Sequence, residues 1–332
     1  MIISRTPLRI SLGGGGTDLP FYYQKFGGFV ISSAIRKYIY VVVTNHFEKV
    51  IKINYSKTEL CNSPNQVQHP IIREALKMLE LRDHISIASF ADLPAKSGLG
   101  SSGSFSVGLL NSLYTFADID ITRRKLAEAA CHIEMDLLNQ PIGKQDQYAA
   151  AFGGFSCISI DKEGKVHITP LKISHESIRD LEHNLSFFYT GVLRSASKVI
   201  NDQKKSTDIR DTLESLTRIK KIGYKIKDCL ENDNLDEFGR LMDDHWNEKR
   251  KTSKKISNNL FDKYYDMARK FGVLGGKIIG AGGGGFFMFY TNSRENRKRL
   301  RKEFIKHGLV EVQMPFEPEG TKVVLNLKGN VN

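Results

Sequence analysis

The spacing of apolar and polar positions changes period several times along the chain, and each change predicts an element. Residues 2–3 and 8–12 read as a strand that enters a run of four glycines. Two β-rich stretches, 38–46 and 50–55, predict a hairpin-like pair. Ile71, Ala75, Met78 and Leu79 carry helical spacing across 70–81, and 85–90 alternates as a short strand. A helix is expected over 101–116 after a glycine turn, and a second over 122–138 with Thr122 as its N-cap. On that second helix the expected buried stripe is Leu126, Ala130, Ile133 and Leu137. Residues 155–160 and 166–171 predict a hairpin.

Beyond about Leu171 the pattern shifts. A strand at 185–190 precedes long, charged, amphipathic stretches at 195–231 and 235–251, which predict helices. A helix at 261–271, strands at 277–279 and 286–290, a basic helix at 295–307 and a terminal strand at 322–327 follow. This mixture predicts an α+β fold rather than a regular βαβ series. It divides into two domains, 1–175 and 176–332, with the boundary falling between 165 and 185.

Length and composition fit that division. A chain of 332 residues suits two domains at roughly 150 residues each. With 40% hydrophobic and 26% charged residues it has the composition of a folded protein, not of a disordered one. The four cysteines, Cys61, Cys131, Cys157 and Cys229, are scattered with no CxxC pair. That excludes a zinc ribbon or disulfide framework and fits a reducing cytoplasm. The N-terminal segment lacks the apolar core of a signal peptide, and no run approaches the ~20 apolar residues of a membrane span. Lys plus Arg number 49 against 37 acidic residues, a net charge of +12, which favours anionic partners without choosing among them.

Glycine clustering narrows the choice. Residues 13–16, 98–103 and 280–285 hold twelve of the 28 glycines. Consecutive glycines let backbone N–H groups approach an anion closely, above all at a helix start. One such run reads equally as a tight turn, whereas three in one chain favour a ligand-binding role. The middle segment, Lys96-Ser97-Gly98-Leu99-Gly100-Ser101-Ser102-Gly103-Ser104, has the order loop, glycines, hydroxyls, helix. That is how backbone donors and a helix dipole make a phosphate cradle. Its serines can also cap the helix or contact Mg²⁺. There is no Walker A sequence, and the GxGxxG match lacks the βαβ context of a dinucleotide site.

Taken in order, the three segments resemble the galactokinase–homoserine kinase–mevalonate kinase–phosphomevalonate kinase (GHMP) superfamily. Its first motif resembles 7–18, its phosphate loop 94–102, and its third motif 280–285. Within it, Arg9-Ile10, the stretch 13–18, Leu19-Pro20 and Gly27-Gly28 are most similar to kinases of the sugar anomeric hydroxyl, those of heptose 7-phosphate in particular. The resemblance implies a two-domain α+β enzyme with a ribosomal-S5-like N-terminal domain and a ferredoxin-like C-terminal domain. ATP, Mg²⁺ and the sugar would meet between them. Galactokinase- or fucokinase-like action on an unphosphorylated sugar is the alternative.

The resemblance also implies roles for particular residues. Asp146 would be the base at the acceptor hydroxyl, and Arg9 would stabilise the charge in transfer. Lys96, Ser97, Gly98, Leu99, Gly100, Ser101, Ser102 and Gly103 would hold the ATP phosphates. Gly14, Gly15, Gly16, Thr17, Asp18, Gly282 and Gly283 would line the acceptor site, with Asp18 on a sugar hydroxyl. Gly15-Gly16 stands where galactokinases have Glu-His, which disfavours galactose. Lys96, Lys144 and Arg194 are candidates for holding a phosphate. Ser102 would contact Mg²⁺ together with a carboxylate of the second helix. Glu134 and Asp136 flank that helix's apolar stripe, so helical geometry leaves both open, while the resemblance points to Glu134. His132 and Asp136, at i and i+4, read as a solvated pair, and Trp246 as core. A nucleic-acid role would rest on the basic run near the C-terminus, but no recognition motif accompanies it. The expected partners are therefore ATP and a small sugar phosphate, with no nucleic acid and no membrane; the oligomeric state stays open.

Overall fold

The computed structural model describes residues 1–193, 196–204 and 209–328. It begins with strand β1 (Ile2–Gly13), the glycine turn, helix α1 (Pro20–Phe26) and the long strand β2 (Gly28–Asn45). Pro20 fits the first helical turn, where an N–H has no partner, and Gly27 at φ 66° ends the helix. Next come β3 (Ile51–Asn54), β4 (Thr58–Cys61), α2 (Pro70–Met78) and β5 (Ile85–Ala91). The phosphate-loop segment leads into α3 (Ser101–Phe116), followed by α4 (Arg123–Cys131), α5 (Gln145–Phe152) and the hairpin β6 (Phe155–Ile160) and β7 (Val166–Pro170).

The rest of the chain starts with α6 (His175–Asn184), β8 (Leu185–Tyr189), α7 (Ala196–Lys204) and α8 (Ile209–Glu231). It continues through α9 (Leu235–Lys251), α10 (Asn259–Lys270), β9 (Gly275–Ile278) and β10 (Phe286–Tyr290). Helix α11 (Arg294–Lys306) and strands β11 (Val310–Glu311) and β12 (Lys322–Asn326) complete it. No helix among the described residues is long and apolar enough to cross a membrane.

Among the described residues these strands form one eight-stranded and one four-stranded sheet. The 18-residue β2 organises the larger one. One edge pairs with β1, and the other takes β6 at residues 28–33 and β5 at 39–45. The smaller sheet has the order β11-β8-β10-β9, with Phe286, Phe287, Met288 and Phe289 of β10 buried throughout. Burying such side chains contributes about 1.5–3 kcal/mol each, which makes β10 the centre of the second half.

Three sequence expectations need correction. The stretches around 38–46 and 50–55 are not a hairpin. β3 pairs in parallel with β5 and antiparallel with β4, because β5 already occupies that edge of β2. The domain division at 175/176 misses a return: β12 pairs with β1 from Ile2↔Asn326 to Arg5↔Lys322, and Phe316 bridges to Ile35. Without it the outer edge of β1 would expose unpaired backbone groups. The helix expected over 122–138 is α-helical only to Cys131, with Thr122 as its cap, and widens into a π turn at His132–Leu137. The extra residue in that turn buries Glu134 and leaves Leu137 44% exposed, the reverse of a continuous 3.6-residue stripe.

The halves meet where two glycine segments interlock backbone to backbone. A Cβ on Gly98 would lie 2.6 Å from the Ile279 carbonyl oxygen, one on Gly280 2.5 Å from that of Gly98, and one on Gly285 2.1 Å from that of Ser97. Gly280 also sits at φ 75°. Gly280→Ala is therefore expected to destabilise the protein by more than Gly308→Ala, where φ is 79° but nothing lies within 4 Å. The second change should cost only the ~1–2 kcal/mol of a left-handed alanine. Urea unfolding midpoints of the two variants check this; equal losses would dissociate the glycine from the close approach.

Candidate active site

Backbone conformation builds the first cavity. Lys96, Gly98 and Gly100 take left-handed φ values of 63°, 86° and 75°, which fold the loop onto the start of α3. The α3 hydrogen-bond ladder begins with Ser104 N–H on the Gly100 carbonyl, so the preceding N–H groups have no helical acceptor. Ser101, Ser102 and Gly103 line a cavity there, with Lys96, Gly282 and Gly284 on other walls. Unpaired donors at the N-terminus of a 16-residue helix make this an anion cradle.

Arg9 ties that cradle to α5. Its backbone N–H donates to the Leu99 carbonyl (3.0 Å) and its Nη1 to the Gly98 carbonyl (2.7 Å). Nε and Nη2 both reach Asp146 Oδ1, each at 2.7 Å. The Arg9 side chain is 5% exposed and that of Asp146 28%. Among the described residues Asp146 Oδ2 has no hydrogen-bond partner, so one carboxylate oxygen is fixed and the other is available. The approach of α5 depends on Gly103, where a Cβ would lie 2.7 Å from that of Asp146.

A second cavity opens on the far side of this pair. Asp18 is buried there and accepts from Gly16 N (3.2 Å), Gln145 N (3.2 Å) and Gln145 Nε2 (3.4 Å). Burial first, then the nearby Asp146, raises its pKa; the Gln145 N–H opposes this. Gly143 is what lets the chain pass, since a Cβ would fall 1.9 Å from Asp18 Oδ2. The opposite wall comes from the second half: His245 and Lys249 of α9 and Lys277 of β9. All three are buried. Arg9, Ile142, Asp146, Gly280 and Ala281 line both cavities, so Asp146 stands at their junction.

A divalent cation has suitable donors on the loop side. Ser102 Oγ donates to Glu134 Oε2 at 2.5 Å, and Gln147 Nε2 donates to Oε1 at 2.9 Å. Glu134 is 1% exposed and no cation pairs with it among the described residues. Burial raises its pKa against the opposing bonds from Ser102 and Gln147. A hydroxyl and an uncompensated carboxylate are hard oxygen donors that fit Mg²⁺, which takes few protein ligands and fills its shell with phosphates and water. Asp136 is not part of this set; it pairs with His132 (2.8 Å) on the surface.

Other expected site residues distribute unevenly. Gly15 and Gly16 line the second cavity, but Gly282 faces the first, and Gly283 donates its N–H to the Ile256 carbonyl. Thr17 bonds the Gly14 and Phe29 carbonyls, and a Cβ on Gly14 would lie 2.0 Å from the Phe29 oxygen. Both therefore shape the turn rather than face a ligand. Ser97 and Leu99 are buried beneath the loop. Lys144 turns away to the Gly164 carbonyl (2.5 Å) and the Tyr23 ring. Arg194 lies outside the described residues. The residues missed were His245, Lys249 and Lys277. A signal existed: Phe238, Met242, His245 and Lys249 follow the buried stripe of α9, and a lysine on the stripe of a buried helix asks for a reason.

An anion cradle, a buried arginine paired with a part-exposed carboxylate, and a second cavity at the seam of two α+β halves define a phosphoryl-transfer enzyme. Residues 70–154 match the GHMP kinases N terminal domain and residues 226–309 the GHMP kinases C terminal domain. The D-glycero-alpha-D-manno-heptose 7-phosphate kinase of Campylobacter jejuni is 28% identical, over 97% of this chain and 98% of its own. A galactokinase of Thermococcus kodakarensis is 25% identical over 84% and 86%. A crystal structure of a D-glycero-D-manno-heptose 1-phosphate kinase from Bacteroides thetaiotaomicron superposes with a TM-score of 0.81 at 23% identity, covering 99% of this chain and 100% of that one. The chain belongs to the GHMP kinases and is a sugar kinase, a phosphotransferase with an alcohol group as acceptor and ATP as donor.

Burial, then the charge of Arg9, pushes the Lys249 ammonium down to about 7 from its ordinary 10.5. Between those values the unfolded chain holds a proton that the folded one has released. Stability then rises with pH, by up to about 1.4 kcal/mol per unit from this group. Without ligand, the melting temperature of the wild type should gain on that of Lys249→Met as pH goes from 7 to 9.5. Parallel curves would show that Lys249 keeps its proton.

Proposed function

We propose that the protein transfers the γ-phosphoryl group of ATP to the anomeric C1 hydroxyl of D-glycero-D-manno-heptose 7-phosphate, releasing ADP and the 1,7-bisphosphate. The observation that carries this reading is the position of Asp146, with one free oxygen, at the junction of a phosphate cradle and a second cavity. Donor phosphates on the backbone donors of Ser101, Ser102 and Gly103 would bring the γ-phosphorus to that junction. The acceptor, anchored at Asp18, would present its hydroxyl to Asp146 Oδ2. Asp146 accepts the hydroxyl proton as the oxygen–phosphorus bond forms and the bond to the ADP oxygen breaks. Arg9 keeps the carboxylate in line and supports the charge in transfer. Ser102 and Glu134 would hold Mg²⁺, whose charge offsets that of the β- and γ-phosphates. The four free thiols suit a cytoplasmic protein. The heptose assignment draws on the full-length likeness to the Campylobacter enzyme.

A sugar panel tests the substrate. Mg·ATP with heptose 7-phosphate should release ADP and yield a doubly phosphorylated sugar. Efficient turnover of galactose or fucose with none of the heptose phosphate would sink the heptose reading. Asp146→Asn should lower kcat by about 100-fold or more while KM for ATP stays near that of the wild type; retained activity removes Asp146 from its role. Glu134→Gln should raise the Mg²⁺ concentration needed for half-maximal rate, and an unchanged requirement would place the metal elsewhere.

A further inference from the structure

Three basic side chains line the second cavity without an acidic partner among the described residues. His245 and Lys249 stand one turn apart on α9, and Lys277 reaches in from β9. Both ring nitrogens of His245 are buried and unpartnered among the described residues. Among the described residues Lys249 Nζ bonds only the Ile278 (3.3 Å) and Gly280 carbonyls, and Lys277 Nζ only that of Leu12 (3.0 Å). An ammonium has three donors, so one remains on Lys249 and two on Lys277. Of the two nearby carboxylates, Asp146 gives Oδ1 to Arg9 and Asp18 accepts from Gly16 and Gln145; among the described residues neither bonds the three basic groups.

Burying basic groups without a counter-charge is costly, and a structure tolerates it where a ligand supplies the missing charge. We propose that His245, Lys249 and Lys277 form a subsite for a phosphate monoester carried by the acceptor. Donors from two elements line one cavity, which suits a tetrahedral group with three acceptor oxygens better than a planar carboxylate. The subsite lies on the Asp18 side of the Arg9–Asp146 pair, opposite the glycine loop, so it addresses the acceptor and not the nucleotide tail. Burial depresses the proton affinity of all three groups, helped by the charge of Arg9 at Lys249, of Lys249 and Arg9 at Lys277, and of the two lysines at His245. The proposal rests on the sugar kinase reading and adds the residues that would select a phosphorylated sugar. Lys144, expected to help, is committed to Gly164 instead.

The test compares wild type with Lys249→Met, Lys277→Met and His245→Gln. Calorimetry without nucleotide would titrate heptose 7-phosphate and the same heptose without its phosphate. Each variant should weaken binding of the phosphorylated sugar by about 10- to 100-fold, and the preference for it over the plain sugar should shrink by a similar factor. Variants that keep that preference overturn the proposal. So does an increase in KM for ATP with sugar phosphate binding intact, which would assign the cluster to the γ-phosphate. If the wild type binds no heptose 7-phosphate, the substrate reading fails, and inorganic phosphate then judges the subsite. Phosphate should raise the melting temperature of the wild type by several degrees and that of the folded variants by less; equal or absent shifts overturn the subsite.

Discussion

The site depends on Arg9. It projects from β1 between the buried residues Leu8 and Ile10, so the larger sheet fixes its backbone. From there it bonds the glycine loop at Gly98 and Leu99 and grips one oxygen of Asp146 with two donors. A two-donor contact fixes direction as well as distance, which a lysine could not do. Exposed ion pairs contribute only about 0–1 kcal/mol. This one is shielded, and its effect is geometric: strand, loop and helix share one reference point. Gly100 and Gly103 let the neighbouring backbones close around it, with a Cβ on Gly100 falling 3.0 Å from Arg9 Cγ.

The second half attaches to this frame through side-chain packing, with Tyr224 of α8 stacked on Phe29 of β2, and at the glycine segments through backbone contact. Gly98 against Gly280 and Ser97 against Gly285 leave no room for side chains. The third glycine segment therefore acts as a contact surface for the phosphate loop, while Gly280, Ala281, Gly282 and Gly284 of it line a cavity. Lys277 donates to Leu12 of β1, and β12 returns to pair with β1. The first strand thus carries Arg9 and receives both Lys277 and the returning β12.

Much of this was legible in the chain. Helices α3 and α9 have the predicted bounds, and the glycine loop, Arg9, Asp18, Asp146, Ser102 and Glu134 come together from positions up to 137 residues apart. Those residues were visible because motif spacing reflects local backbone geometry. The misses share a different cause. β3 beside β5, and β12 beside β1, are long-range pairings that no local period encodes. The π turn was hidden because a single added residue breaks no hydrophobic rule, yet it decides that Glu134 and not Asp136 reaches Ser102. His245, Lys249 and Lys277 were passed over because polar side chains read as surface, although His245 and Lys249 lie on the buried stripe of α9. Lys96 and Lys144 looked better only because they adjoin motifs.

The two cavities differ in how they meet an anion. On the loop side the donors are backbone N–H groups, whose partial charges cost little to bury and need no counter-ion. Across the Arg9–Asp146 pair the donors are ionisable side chains, whose burial is costly until a ligand arrives. The loop can therefore form without nucleotide, whereas the basic cluster holds its full charge only when an anion restores it. On the proposed reading an acceptor must satisfy two fixed points together, its hydroxyl at Asp146 and its anionic end at the lysines. Both points are held by sheet and helix rather than by loops, so the distance between them acts as a ruler. A sugar too short to reach, or lacking the terminal charge, would leave the cluster uncompensated. Discrimination of this kind comes from the cost of unpaired buried groups, which exceeds what contact area alone can supply.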